Sequence, residues 1–146
     1  MRQIAFWAVL GAVVLALAGC GSSKKTETKG ETDTVGTQAA CDASALSSTT
    51  KLPPNFPKVA QATYTTESTE GPTDLTEGYF MGSVKDGHEA YKTALGTNGY
   101  EVTDDELDEH DSEVNWKGHG RSGQVALREQ CGESDKIYVK VTNRPA

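Results

Sequence analysis

One window of helical periodicity interrupts a chain that otherwise alternates in steps of two. From Ala62 onward, apolar residues recur at every second position, as strands with one buried face require. Ala62 to Glu67 and Glu77 to Lys85 read as the first two strands, with a turn at Gly71-Pro72. The period then changes: Ala90, Tyr91, Ala94 and Leu95 share one helical face, with Asp86 as the expected N-cap. Asn98-Gly99 stops that helix, Gly99 being suited to the left-handed position beyond its end. Alternation returns in Tyr100 and Val102, in Val114 and Trp116, in Val125 and Leu127, and in Ile137, Val139 and Val141. The expected order is β-β-α-β-β-β-β. Clean alternation implies antiparallel strands with one wet face. One helix must then cover the apolar face, which gives a small α+β domain.

Ahead of the domain the sequence changes character twice. An apolar run of 14 residues, Ile4 to Leu17, follows Arg2. A membrane-spanning helix needs about 18 or more apolar residues, so a run this short with small residues at its end fits a signal peptide. Ala16-Leu17-Ala18 would by itself suit a plain secretory cleavage site, but Cys20 follows directly. Leu17-Ala18-Gly19-Cys20 resembles the lipobox of bacterial lipoproteins. The resemblance implies that residues 1–19 are removed, and that Cys20 becomes an N-terminus carrying a diacylglyceryl group. Two buried acyl chains hold a protein stably on a bilayer at about 0.8 kcal/mol per CH₂. The implied location is the extracytoplasmic side of the cell membrane, or an outer membrane if the organism has one, since Gly21 stands where an inner-membrane retention signal has Asp.

Residues 21–40 contain one large apolar residue, Val35. Such composition cannot offset its ordering entropy, so the segment is expected to be a disordered tether, with the domain running over 41–146. With Cys20 lipidated, two cysteines remain in an exported chain, and a Cys41–Cys131 disulfide is expected. Neither has the Cys-x-x-Cys or nearby His spacing of a zinc site.

Charge limits the partners. The chain carries 14 Lys plus Arg against 21 Asp plus Glu, and losing Arg2 takes the net charge from −7 to −8. Nucleic acid and anionic lipid should both repel such a domain. Its expected partners are the bilayer, reached through Cys20, and an envelope protein or small ligand.

Motifs add little. Gly118-His119-Gly120-Arg121-Ser122-Gly123 spells G-x-G-x-x-G but precedes strand periodicity rather than a helix, so it reads as a hairpin loop, not a nucleotide site. No cofactor is expected. Residues 101–113 hold a carboxylate run in which Asp104, Glu106 and Asp108 have the spacing of a calcium loop. Glu109 and Asn115 stand where that loop needs Gly and a bidentate carboxylate, so a solvated connection is expected. His88, near the start of the helix, and His119, in the Gly-rich loop, are expected to be exposed, and His110 lies among the carboxylates. No nucleophile, base and oxyanion site can be assembled. The expected function is a non-enzymatic binding or assembly domain, with Gln124, Arg128, Tyr138 and Lys140 as contacts on the wet sheet face. The alternative is a small envelope hydrolase, metal-dependent through the 101–113 run and its His110.

Overall fold

A computed structural model describes residues 29–146, with side chains from Gly36 onward. The signal segment, the lipobox and Cys20 lie outside the described residues. The elements are α1 (Lys29–Asp42), β1 (Ala62–Glu70), β2 (Thr73–Met81), α2 (Val84–Thr97), β3 (Glu101–Leu107), β4 (Asp111–Gly118), β5 (Arg121–Glu133) and β6 (Lys136–Pro145). The six strands form one antiparallel sheet in the order β1-β2-β6-β5-β4-β3. The last strand therefore sits in the middle, between the first hairpin and the β3–β5 meander. The α+β class and the expected order of strands around α2 are both present.

Local chemistry sets the connections. Gly71 adopts φ 58° and joins β1 to β2 with Pro72 in a two-residue turn. The β4–β5 turn consists of His119 and Gly120, at φ 50° and 73°, the pair of positive angles that a tight hairpin needs. The G-x-G-x-x-G spelling thus lies on a hairpin. The second strand ends at Met81, not Lys85, because Ser83 starts α2 three residues before the expected cap. Ser83 Oγ accepts the Asp86 amide at 3.1 Å, and the Asp86 carboxylate accepts the Ser83 amide at 3.2 Å. The Ser83 hydroxyl also donates to that carboxylate, which holds its pKa below the ordinary value. Asp86 completes a reciprocal capping box at its third position rather than being the cap itself.

Helix α2 lays Tyr91 and Leu95, both fully buried, across Val114, Val125, Leu127, Ile137, Val139 and Val141. Gly87 lets the helix approach closely, since a Cβ there would meet Leu127 at 3.0 Å. The proline-rich lead-in docks Leu52 and Phe56 on this core, as its sequence suggests. Phe56 and Tyr100 both flank the Trp116 ring, at 5.6 and 5.2 Å between centroids. The hydroxyls of Tyr64 and Tyr91 lie 3.0 Å apart, and burial pushes the Tyr64 hydroxyl up to about 12. Both stay protonated at any physiological pH.

Helix α1 departs from the expected disordered tether over residues 29–40, while residues 21–28 lie outside the described residues. Its second half packs on the sheet face opposite α2, where Thr37, Ala40 and Cys41 are buried and Thr65 Oγ1 donates to the Ala40 carbonyl at 2.7 Å. The domain thus begins before Cys41. Composition could not reveal this, because the helix has no apolar face of its own. It is fixed by the Cys41–Cys131 disulfide, whose Cα atoms are 5.5 Å apart, and by contact with Tyr138 and Tyr79.

Candidate functional site

The sheet face opposite α2 is covered by α1 only at one end. Away from α1 that face is polar, and its side chains fall into rows set by strand register. Asn115 of β4, Gln124 of β5 and Thr142 of β6 form one row. Ser122 of β5 and Arg144 of β6 begin the next. Thr73 of β2 and Thr103 of β3 flank them, and together these residues line a depression of about 420 Å³. Between the rows, Trp116, Gly123 and Asn143 make the floor. A Cβ on Gly123 would meet the Thr142 carbonyl at 1.9 Å, so only glycine fits there.

The polar groups of this depression are uncommitted. Among the described residues, the hydroxyls of Thr73, Thr103, Ser122 and Thr142 have no hydrogen-bond partner and Arg144 has no ion pair. Several threonines elsewhere are engaged, Thr65 and Thr69 donating to protein acceptors at 2.7 and 2.8 Å. Beneath the floor, Trp116 Nε1 is the one buried side-chain nitrogen or oxygen among the described residues without a partner.

The four expected contacts divide. Gln124 lines the depression, and its amide donates to Glu113 at 2.8 Å and to Asn115 at 3.2 Å. Lys140 stands on the same face, cross-strand from Glu77 and Ala126. Arg128 lies on that face too, but its charge is matched by Glu113 at 3.5 Å. Tyr138 is not a wet contact. It is 5% exposed, packed under α1, and its hydroxyl donates to Glu77. Arg144, Thr142, Ser122, Asn115, Thr73 and Thr103 also line the depression, and no motif in the linear sequence marks them. Stepping by two from Lys140 reaches Thr142 and Arg144, but only the strand pairing brings the other four beside them.

The acidic run does not converge. Asp104 and Glu106 pair in register with Asn115 and Glu113 on the α1 side, whereas Asp105 turns towards α2. Asp108, Glu109 and His110 belong to the β3–β4 connection. No group of three or more His, Cys, Asp or Glu among the described residues is arranged to hold a metal ion. His110 Nδ1 lies 2.8 Å from Glu129, which raises the imidazole pKa, helped by the charge of Glu109.

His88 overturns the expectation of exposure. It is 4% exposed, with Nδ1 at 2.7 Å from Ser112 Oγ and Nε2 at 3.1 Å from Asp105. Asp105 in turn takes a hydrogen bond from Lys92 at 2.7 Å, which lowers its pKa. Ser, His and Asp in contact suggest a hydrolytic triad, but Ser112 is fully buried beneath α2. A nucleophile must reach a carbonyl carbon, and this hydroxyl reaches only the helix. The group ties α2 to β3 and β4. His119 packs on Tyr100, with ring centroids at 4.8 Å, and its Nε2 lies 3.1 Å from the Asn98 carbonyl.

No protein-family model, curated protein or solved structure matches this chain.

Proposed function

We propose that this chain is a membrane-anchored lipoprotein of the bacterial cell envelope, and that its extracytoplasmic domain binds a ligand through the sheet face opposite α2. The observation that carries the binding reading is the depression on that face, where four hydroxyls and a guanidinium have no partner among the described residues. Glu67 and Asn143, by contrast, are engaged inside the fold. Glu67 accepts the Thr50 and Lys51 amides at 2.9 and 2.8 Å, and Asn143 accepts Arg121. The anchor reading rests on Leu17-Ala18-Gly19-Cys20 after a short apolar run.

Two measurements test these halves separately. Mass spectrometry of the membrane fraction should find an acylated N-terminal peptide beginning at Cys20, and Cys20→Ala should abolish both acylation and cleavage after Gly19. A membrane-bound peptide without acyl mass ends the anchor reading. For the binding half, a photo-cross-linking residue at Lys140 should yield adducts in intact cells that the same residue at Lys85 of α2 does not. Equal labelling from both positions removes the assignment of the sheet face.

A further inference from the structure

We infer that the depression takes an acidic saccharide, with the carboxylate of a uronic acid seated on Arg144 and the sugar hydroxyls spread over the rows beside it. The inference rests on the binding reading above and adds the ligand's chemical class. Three observations carry it.

The first is the set of groups. Hydroxyls both donate and accept, and so match the dual character of sugar hydroxyls. Thr73, Thr103, Ser122 and Thr142 supply four of them within one depression, with no protein partner among the described residues. Asn115 adds a carboxamide whose oxygen already accepts Gln124, leaving its NH₂ to donate. The volume of about 420 Å³ lies in the range of small-ligand sites.

The second is the placement of charge. Most cations on this face are matched: Arg128 by Glu113, Lys117 by Glu101 at 3.2 Å, and Lys136 by Glu133 at 3.3 Å. Among the described residues Lys140 and Arg144 have no ion pair, and of these two Arg144 lines the depression, with Ser122 as its cross-strand neighbour. A guanidinium left unmatched in an acidic domain is an anchor for a planar anion, which it can grip through two parallel N–H groups. At the opposite margin, Asp104 stands cross-strand from Asn115. Its carboxylate can accept hydrogen bonds from sugar hydroxyls.

The third is relief. Strand alternation turns Trp116, Gly123 and Asn143, which lie between the two rows, towards the α2 face, so the floor is backbone and a flat ring can lie against it. No lining side chain is a large aliphatic group, which a peptide ligand would need for its apolar side chains.

The test uses the mature chain extracted from membranes in detergent. Titration calorimetry is run with trigalacturonate, with the neutral trisaccharide galactotriose, and with inorganic phosphate. Trigalacturonate should bind at least tenfold more tightly than either of the others. Arg144→Gln should weaken it at least tenfold, and Thr142→Val, which keeps shape and removes one hydroxyl, by a smaller factor. Lys85→Gln should leave it unchanged. Circular dichroism checks that each variant is folded, and Thr142→Val serves if Arg144→Gln is not. Equal binding of phosphate overturns the saccharide assignment, and equal binding of galactotriose overturns the role of Arg144. Undiminished binding by both variants places the ligand elsewhere. If trigalacturonate fails to bind while cross-links at Lys140 persist, the ligand class is wrong and the binding face stands. If both fail, the reading beneath the inference falls with it.

Discussion

Leu95 and Ser112 show two ways in which single residues hold α2 in place. Leu95 is fully buried in the main core, so Leu95→Ala should cost about 2 to 5 kcal/mol, from lost transfer energy and the cavity left behind. Urea unfolding followed by fluorescence measures this. Trp7 belongs to the segment expected to be removed, which leaves Trp116 as the reporter in the mature chain. A loss under about 1 kcal/mol would show that the helix is not packed as described. Ser112 acts through polarity. Ser112→Ala strips the Nδ1 partner from a buried imidazole, and an orphaned buried group costs about 1 to 3 kcal/mol. If the pair were instead a working triad, the same variant would abolish a hydrolytic activity and leave stability almost unchanged. His88 was read as exposed because its place near the start of a helix says nothing about which strand faces it. The buried partner, Ser112, lies 24 positions away.

At the scale of elements, α1 is the least self-sufficient part. It has no apolar stripe and contributes chiefly Thr37, Ala40 and Cys41 to the fold. The disulfide closes a loop with a sequence separation of 90, worth about 4 to 5 kcal/mol in the chain-entropy model. Reduction should therefore lower the melting temperature clearly. It should also raise amide exchange in α1 and around Tyr138 before the rest of the sheet responds. Uniform loss of protection across all strands would mean that α1 is no separate unit. Helix α2 is more autonomous because its capping box is local. Ser83→Ala should cost about 0.5 to 2 kcal/mol.

The whole molecule responds to acid through carboxylates that the fold has engaged. Asp74 is lowered by the Thr69 hydroxyl first and then by Lys51 and Arg121, and Asp105 by Lys92 and then His88. At Glu67 burial pushes the pKa up, but the Lys51 and Thr50 amides outweigh it, so the net shift is downward. A group whose folded pKa is depressed adds stability that is fully present above its unfolded value. That contribution disappears as pH falls through the folded value. The unfolded values are 3.8 for Asp and 4.5 for Glu, so stability should be steady near pH 6 and fall below about pH 4. Denaturant unfolding at pH 6 and pH 3 tests this, and Glu67→Gln should flatten the fall. His110 works in the opposite sense. Its pKa is raised above 6.5 by Glu129, so its small surface contribution is present in acid and fades as pH rises through the folded value. An unchanged acid slope in Glu67→Gln would remove the carboxylate account.

Periodicity made the sheet legible. Alternation at Val114 and Trp116, at Val125 and Leu127, and at Ile137, Val139 and Val141 depends only on which face of each strand meets the core, and a strand carries that in its own letters. The change to helical spacing around Tyr91 and Leu95 was readable for the same reason, and so were the Gly71-Pro72 turn and the two cysteines of the disulfide. Tertiary structure alone decided which strands are neighbours. It placed β6 beside β2, set Arg144 next to Ser122 and Thr142 next to Gln124, and so gathered the depression from five strands. It also packed α1 against Tyr138, through a bond spanning most of the domain. Local sequence fixes a residue's face. Partners across a sheet are fixed by strand order and register, which emerge only when all the strands compete to bury their apolar faces together.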